Sequence, residues 1–423
     1  MLNQTFDLQS LLRLTRRHEI IKFSLGRQLE DYKISLSEIS ETIESESYEI
    51  NSCISFEINS KNKTNTIYSV TTAEDYYALK KITDNIKRLY RVKFASRHEI
   101  SEQILKIFED SSDMKIIRID IASFFESIKI NEIIKRLKND NILSKKSLYI
   151  LENIVSKLGI EGLPRGLPIS SPLSEIFMEQ FDNHVKSLGG VYYYSRYVDD
   201  IILISTNINS NLEVEIIQKL DEIKLEINNK TEIKKIIKNS GVAEKVSYLG
   251  YEYILSPVSG PDISIKRNVD VKMSKNKINK IKTRILLSLI NYNIQNKRYK
   301  NMAINNLHDY FRKRILIKRI NFLSGNYEIP NNKNQHCDDA TLKGGIYYNS
   351  PLLNTPEQLT ELNEFLVRLL FTKKNSLIGR RVRRIPLKTR RELASTDFKN
   401  GFESRITHKF LDTDLKEICE IWK

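Results

Sequence analysis

Val191–Ser205 reads VYYYSRYVDDIILIS, and Lys115–Phe125, upstream of it, reads KIIRIDIASFF. In the first stretch two apolar runs, rich in aromatic and β-branched residues, flank a two-residue polar break, the pattern of a β-hairpin. The break holds Asp199 beside Asp200. Two like charges kept close to an apolar sheet repel unless a cation joins them, although in an isolated hairpin such a pair is also ordinary turn chemistry. In the second stretch Asp120 is the one acid of a short strand. By the period of two it shares a face with Arg118 and Ala122, while Ile117, Ile119 and Ile121 point the other way. If the two strands are neighbours in one sheet, Asp120 and Asp199 meet at its end. There they can hold two Mg2+ ions about 3.5–4 Å apart, since Mg2+ prefers hard oxygen ligands.

Outward from these strands the hydrophobic period changes. Apolar residues recur at helical spacing over Leu8–Ile43 and Ala73–Phe108, so the first quarter is expected to be mostly helical. Helices are expected over Asn131–Leu137, Ser174–Val185 and Leu212–Ile223, with a strand pair near Ser247–Ile254. The resulting order is strand, helix, helix, hairpin, helix, strand pair, an α+β core. After Pro257 a long basic helical region is expected over Val269–Phe322. A loop with Pro330 and His336-Cys337-Asp338-Asp339 follows, then a helix over Pro356–Phe371. The expected domains are 1–114, 115–255 and 256–423.

Composition narrows the function classes. The chain has 423 residues, 40% hydrophobic and 29% charged, with 9 Pro and 14 Gly, which excludes a collagenous or disordered chain. Lys and Arg outnumber Asp and Glu by 68 to 53, a net +15. Such a balance favours a polyanionic partner, nucleic acid first, but an AT-rich genome inflates Lys, Asn and Ile in the same way. Cys53, Cys337 and Cys419 are scattered, which argues against a disulfide framework or a structural zinc site and fits the cytoplasm. No apolar run approaches the ~18–20 residues of a membrane helix, so no membrane partner is expected.

Five segments in order, RIDIASFFESI (118–128), GLPRGLPISSPLSEI (162–176), YVDDIILIS (197–205), LEINNKT (225–231) and YLGYEYIL (248–255), resemble the successive palm motifs of reverse transcriptases. One such motif recurs by chance; five in register do not. The resemblance implies a right-hand polymerase of fingers, palm and thumb that uses two Mg2+ ions and deoxynucleoside triphosphates. It makes Asp120, Asp199 and Asp200 the metal-site acids, with the backbone carbonyl of Ile121 completing a metal shell. Phe125 falls where these enzymes keep a steric gate against the ribose 2′-OH, or else is a core aromatic beside Phe124. Lys230 matches a lysine that donates a proton to pyrophosphate, or else is a solvated lysine. Tyr248, Leu249 and Gly250 match the primer grip. Arg165 stands where the family commonly has glutamine, so a charged fork meets the incoming nucleotide there. For the triphosphate clamp of the fingers, Arg97 and Arg118 are the candidates; each is equally a structural ion-pair partner.

Beyond Leu255 the chain lacks the Cys/His-rich endonuclease of group II intron proteins and is longer than a retron enzyme's single thumb. RINFLSGNYEI (319–329) and KGGIYYNSPLL (343–353) look like the C-terminal parts of bacterial antiphage, defence-associated reverse transcriptases, the "unknown group". That implies a noncoding RNA template, a DNA product, and a second defence protein or a homo-oligomer as partner. Between Lys373 and Arg391 nine cations occur with no acid, among them Arg380, Arg381, Arg383 and Arg384. The stretch is either a solvated face or an RNA-binding segment; its interleaved Leu377, Ile378, Val382 and Ile385 favour docking and RNA. The rival readings are a maturase-like RNA-binding protein, a retron or group II type of enzyme, an RNA-making polymerase on a related palm, and untemplated or protein-primed synthesis.

Overall fold

The computed structural model describes residues 2–60, 63–258, 265–292, 305–330 and 341–422. The chain divides into two compact units, one made chiefly of Met1–Ile100 and Ser112–Lys238, the other of Ser101–Ser111 and most of the chain after Asn239.

The first unit opens with α1 (Leu8–Leu14), α2 (Arg17–Phe23) and α3 (Leu29–Glu44), then a hairpin of β1 (Cys53–Ser60) and β2 (Lys63–Val70), then α4 (Ala73–Leu89) and the start of α5 (Arg97–Phe108). The helices lie where the period places them. The first quarter is mostly helical as expected, and the hairpin fills the gap between the two stretches with helical spacing. Its alternation of Ile54, Phe56 and Ile58 with Ser55 and Glu57 is a period of two in a stretch too short to stand out. The chain continues through β3 (Met114–Asp120), α6 (Phe124–Ser127), α7 (Ile130–Asp140), α8 (Lys145–Leu158), α9 (Ser170–Ser187), β4 (Val191–Tyr197), β5 (Asp200–Ser205), α10 (Leu212–Glu222) and β6 (Glu232–Ile236). Local chemistry marks the helices. On α7, Ile130, Ile133, Ile134 and Leu137 form one buried stripe. On α8, the Ser144 hydroxyl accepts the Ser147 N–H at the start, and Gly159, with φ +59°, ends the helix in the left-handed region.

The strands form an antiparallel sheet in the order β4-β5-β3-β6, so β3 and β5 are neighbours as the site requires. Ile117 faces Leu203, Ile119 faces Ile201 and Asp120 faces Asp200. Ile117, Ile119, Ile201 and Leu203 join a core with residues of α7, α8 and α9; Ile116, Ile202 and Ile204 are buried on the opposite face. A slip of one residue would carry Asp120 into that core, so the burial pattern also specifies the register.

The hairpin turn differs from expectation. Tyr197 pairs with Asp200, so the turn residues are Val198 and Asp199, and Asp200 already belongs to β5. Val198 has φ +61°, a left-handed conformation that costs a β-branched residue energy. Arg196 braces it. Its side chain is 3% exposed and its five N–H groups are all engaged: Nε and Nη2 on Asp182, Nη1 and Nη2 on Glu175, and Nη1 on the Val198 carbonyl at 3.0 Å. Burial alone would disfavour the charge, but the two carboxylates of α9 outweigh it and keep the guanidinium protonated.

In the second unit β7 (Glu244–Tyr248), β8 (Tyr251–Leu255) and β9 (Val269–Met273) form an antiparallel sheet. The region expected to be helical from Val269 thus begins as a strand, and VDVKM alternates buried and half-buried residues as a strand does. Helices α11 (Lys275–Ile290) and α12 (Asn305–Ser324) follow, then β10 (Asn326–Pro330) and β11 (Thr341–Gly345). Pro330, expected in a loop, is the last residue of β10; His336–Asp339 lie outside the described residues. The chain ends with α13 (Glu357–Leu370), α14 (Leu377–Arg383), α15 (Leu387–Ala394), α16 (Phe398–Glu403), β12 (Thr407–His408) and α17 (Asp412–Cys419), with β12 completing the sheet β11-β10-β12. Among the described residues no helix is long and apolar enough to cross a membrane.

Removing the brace leaves two mostly buried carboxylates uncompensated. Arg196→Ala is expected to cost about 3–5 kcal/mol, read as a lowered urea midpoint with an unchanged slope.

Candidate active site

The end of β3 is laced to two other segments through backbone. The Ile121 N–H donates to the Asp199 carbonyl at 3.0 Å, the Asn228 N–H to the Asp120 carbonyl at 2.7 Å, and the Ala122 N–H to the Glu226 carbonyl at 2.8 Å. The hairpin tip and the segment LEINNKT therefore converge on Asp120, which is itself 7% exposed. A turn closed by Thr231 N–H on the Asn228 carbonyl brings Lys230 round, and its Nζ lies 3.2 Å from Asp120 Oδ2. The ammonium-bearing side chain is 64% exposed, so it is anchored to the acid yet open to solvent.

Asp200 has a different partner. Arg118 grips it as a fork, Nε on Oδ1 and Nη2 on Oδ2, both at 3.0 Å. Of the two alternatives open for Arg118, the ion pair is the one observed. Asp199, at the tip, has no ion-pair partner among the described residues. Burial pushes its carboxyl pKa up and the charge of Asp120 adds to this, while Lys230 and Arg165 pull it down without cancelling the rise. The Asp200 carboxyl is likewise raised, by burial first, against the pull of Arg118 and with the push of Asp120 and Asp199. Groups raised in the folded state destabilise the fold once ionised, so these acids lower stability at neutral pH.

Among the described residues no three acidic, His or Cys side chains are gathered closely enough to grip one ion. The donors themselves suit a hard divalent cation: carboxylate oxygens of Asp120 and Asp199, the latter in an environment that disfavours its negative charge.

Phe124 and Phe125 part company on α6. Phe124 is 3% exposed and belongs to the core, whereas Phe125 is half-buried and packs edge-on against it, ring centroids 5.4 Å apart. Arg165, in the loop before α9, has its guanidinium 5.6 Å from the centroid of the Phe125 ring. Arg97 is the first residue of α5.

The remaining candidates lie in the second unit. Tyr248 is 1% exposed at the end of β7, and Leu249 and Gly250, with φ +43° and +78°, make the two-residue turn into β8. Glycine at the second position suits a turn in which both central residues are left-handed. On α14, Gly379 and Val382 are buried while Arg380, Arg381, Arg383 and the following Arg384 are exposed. Arg383 donates to the carbonyls of Thr372 and Lys374 and to Asn375 Oδ1, so it ties the segment to the chain before it. Arg390 does the same to the carbonyls of Ile385 and Leu370.

Sequence reading missed Glu126, Arg196 and the strained Val198. The available signal for Glu126 was an unmatched arginine in LPRG, and for Arg196 a lone cation in an apolar strand.

Residues 59–253 match the family model for Reverse transcriptase (RNA-dependent DNA polymerase), a span that includes Asp120, Asp199, Asp200, Lys230, Phe125 and Arg165. No curated protein matches the chain. Among solved structures, apo telomerase from Candida tropicalis truncated from the C-terminal domain is similar at 16% identity and a TM-score of 0.33, over 47% of this chain and 45% of that one. The chain thus spans less than half the length of that telomerase. Over residues 59–253, a little under half of the chain, the sequence is similar to the reverse transcriptase (RNA-dependent DNA polymerase) domain.

Proposed function

We propose that the chain extends a DNA strand on an RNA template at the site formed by Asp120, Asp199 and Lys230. The observation that carries this reading is the convergence of these residues, from three separate segments, at one end of the sheet inside the matched domain. Asp120 and Asp199, with the carbonyl of Ile121, would hold two Mg2+ ions. Bound there, the ions supply charge neutralisation for an attacking 3′-hydroxyl and a departing pyrophosphate. Asp200 is held by Arg118 and contributes negative potential from behind. Lys230, flexible and solvent-facing, reaches the phosphates and gives a proton to the leaving group. The half-buried ring of Phe125 excludes a 2′-OH, and the Tyr248-Leu249-Gly250 turn approaches the primer backbone.

The template in this reading is a dedicated noncoding RNA, and the role is defence against phage. Two observations support it. RINFLSGNYEI and KGGIYYNSPLL, the segments that resemble the defence-associated enzymes, pair as β10 and β11. Asn326 links them further, its Oδ1 accepting the Tyr347 N–H and its Nδ2 donating to the carbonyls of Gly401 and Ile406. The basic segment supplies the RNA surface. Arg383 and Arg390 act as struts, leaving Arg380, Arg381, Arg384, Lys388 and Arg391 exposed for phosphates.

Asp199→Asn should reduce primer extension on an RNA template to background without lowering the melting temperature, because it removes a charge the fold disfavours. Extension at near wild-type rate would overturn the assignment, and RNA binding without extension by the unaltered protein would point to a maturase-like role. Phe125→Val should lower the preference for deoxy- over ribonucleotides at least about ten-fold. If Phe125 were a core residue, its truncation would instead lower stability, by about 3–5 kcal/mol for Ala, and slow every nucleotide alike. Converting Arg380, Arg381 and Arg384 to Gln should flatten the salt dependence of RNA binding by about 0.7–0.9 in log–log slope for each phosphate no longer neutralised. An unchanged slope would return the segment to a solvated face.

A further inference from the structure

The loop Gly162–Gly166 and the pair Phe125–Glu126 are bound into one assembly. The Leu163 N–H donates to the Phe125 carbonyl at 2.7 Å. Gly162 runs so close that a Cβ there would stand 2.4 Å from the Glu126 carbonyl oxygen, so only glycine permits this path. Arg165 meets Glu126 fork to fork, Nε on Oε1 and Nη2 on Oε2, both at 3.0 Å. The same guanidinium lies 5.6 Å from the Phe125 ring centroid, within cation–π range. From the hairpin, the Tyr68 N–H donates to the Arg165 carbonyl at 2.8 Å, fixing the backbone of that residue.

Stability does not explain the ion pair. Its side chains are 36% and 41% exposed, and an exposed pair contributes little to folding. What a bidentate pair does supply is direction, since it fixes both the plane and the rotation of the guanidinium. Glu126 takes two of the five N–H donors and leaves the Nη1 edge without a hydrogen bond among the described residues. It also neutralises the local charge. The result is a set of directed donors without net charge, set on the ring of Phe125, which suits a neutral hydroxyl better than a phosphate.

We infer that Glu126 is a positioning residue: it holds Arg165 so that the free edge of the guanidinium donates to a sugar hydroxyl of the incoming nucleoside triphosphate. This rests on the reading of Phe125 and Arg165 as nucleotide-facing residues of a polymerase site. Glu126 does not touch the nucleotide and acts through Arg165.

The test is single-nucleotide extension with Mg2+, comparing a deoxynucleotide with its 3′-deoxy analogue, which lacks the sugar hydroxyl a growing strand needs. The unaltered protein is expected to prefer the deoxynucleotide. Glu126→Gln should reduce that preference at least about five-fold, through KM for the deoxynucleotide and not kcat, with no change in melting temperature. Arg165→Lys keeps the charge but loses the fork and should show the same loss. In an Arg165→Ala background, Glu126→Gln should have no further effect, as a double-mutant cycle requires of two residues acting through one contact. An unchanged preference, an equal loss with both substrates accompanied by a lower melting temperature, or an additive effect in the Arg165→Ala background would each overturn the inference while leaving the polymerase reading standing. Failure of the unaltered protein to extend any primer would overturn the polymerase reading and the inference with it.

Discussion

Three carboxylates crowd the end of two buried strands, and the surrounding structure is arranged around their repulsion. Asp120 and Asp200 face one another across the β3–β5 ladder while Asp199 caps the turn beside them. Burial and mutual charge raise the carboxyls of Asp199 and Asp200. A fold organised only for stability would replace such a group with apolar residues. Here the charges persist: Asp120 and Asp200 each have one cation, and Asp199 has no ion-pair partner among the described residues. The asymmetry separates roles that the adjacent letters of the motif do not: Asp200 is held by Arg118, and Asp199 is not.

Holding the acids in place requires a rigid tip, and the tip is strained. Val198 sits in a left-handed conformation that its branched side chain disfavours. Its carbonyl is fixed by Arg196, whose remaining donors run to Asp182 and Glu175 on α9. The hairpin that carries Asp199 is thus pinned to a long helix by a guanidinium whose five donors are all satisfied. The opposite wall of the site follows the same logic, with backbone hydrogen bonds from Asn228 and Ala122 setting the place from which Lys230 reaches Asp120.

Arginine does two kinds of work in the second unit. Arg383, though exposed, and half-buried Arg390 donate to backbone carbonyls at the end of α13 and in its following loop, which would otherwise need water or a cap. Their exposed neighbours on α14 and α15 stand on an element anchored by buried Val382, Ile385 and Leu393. A cationic surface presented on a docked helix pair loses less freedom on meeting a polyanion than the same charges on a loose tail.

Much of this was legible in the residues alone. The strand at Lys115, the hairpin, the helices after Asn131, Ser174 and Leu212, the strand pair near Ser247 and the placement of Asp120 opposite the isoleucine face follow from period and polarity, which are local properties; α8, β6 and the pairing of β3 with β5 came from the structure. The N-terminal hairpin, between two stretches of helical spacing, and the strand at Val269, at the head of another, were not legible, because only pairing with a neighbour makes such short alternation a strand. The position of the hairpin turn, one residue earlier than the two acids suggested, depends on cross-strand register. Which cation partners which acid and the meeting of Glu126 with Arg165 depend on contacts between residues far apart in the chain. Such contacts are set by the packing of side chains against neighbours the local sequence does not name. Residue types and spacings thus determined the chemistry this chain can host, and the tertiary structure decided which groups are held and which are left to act.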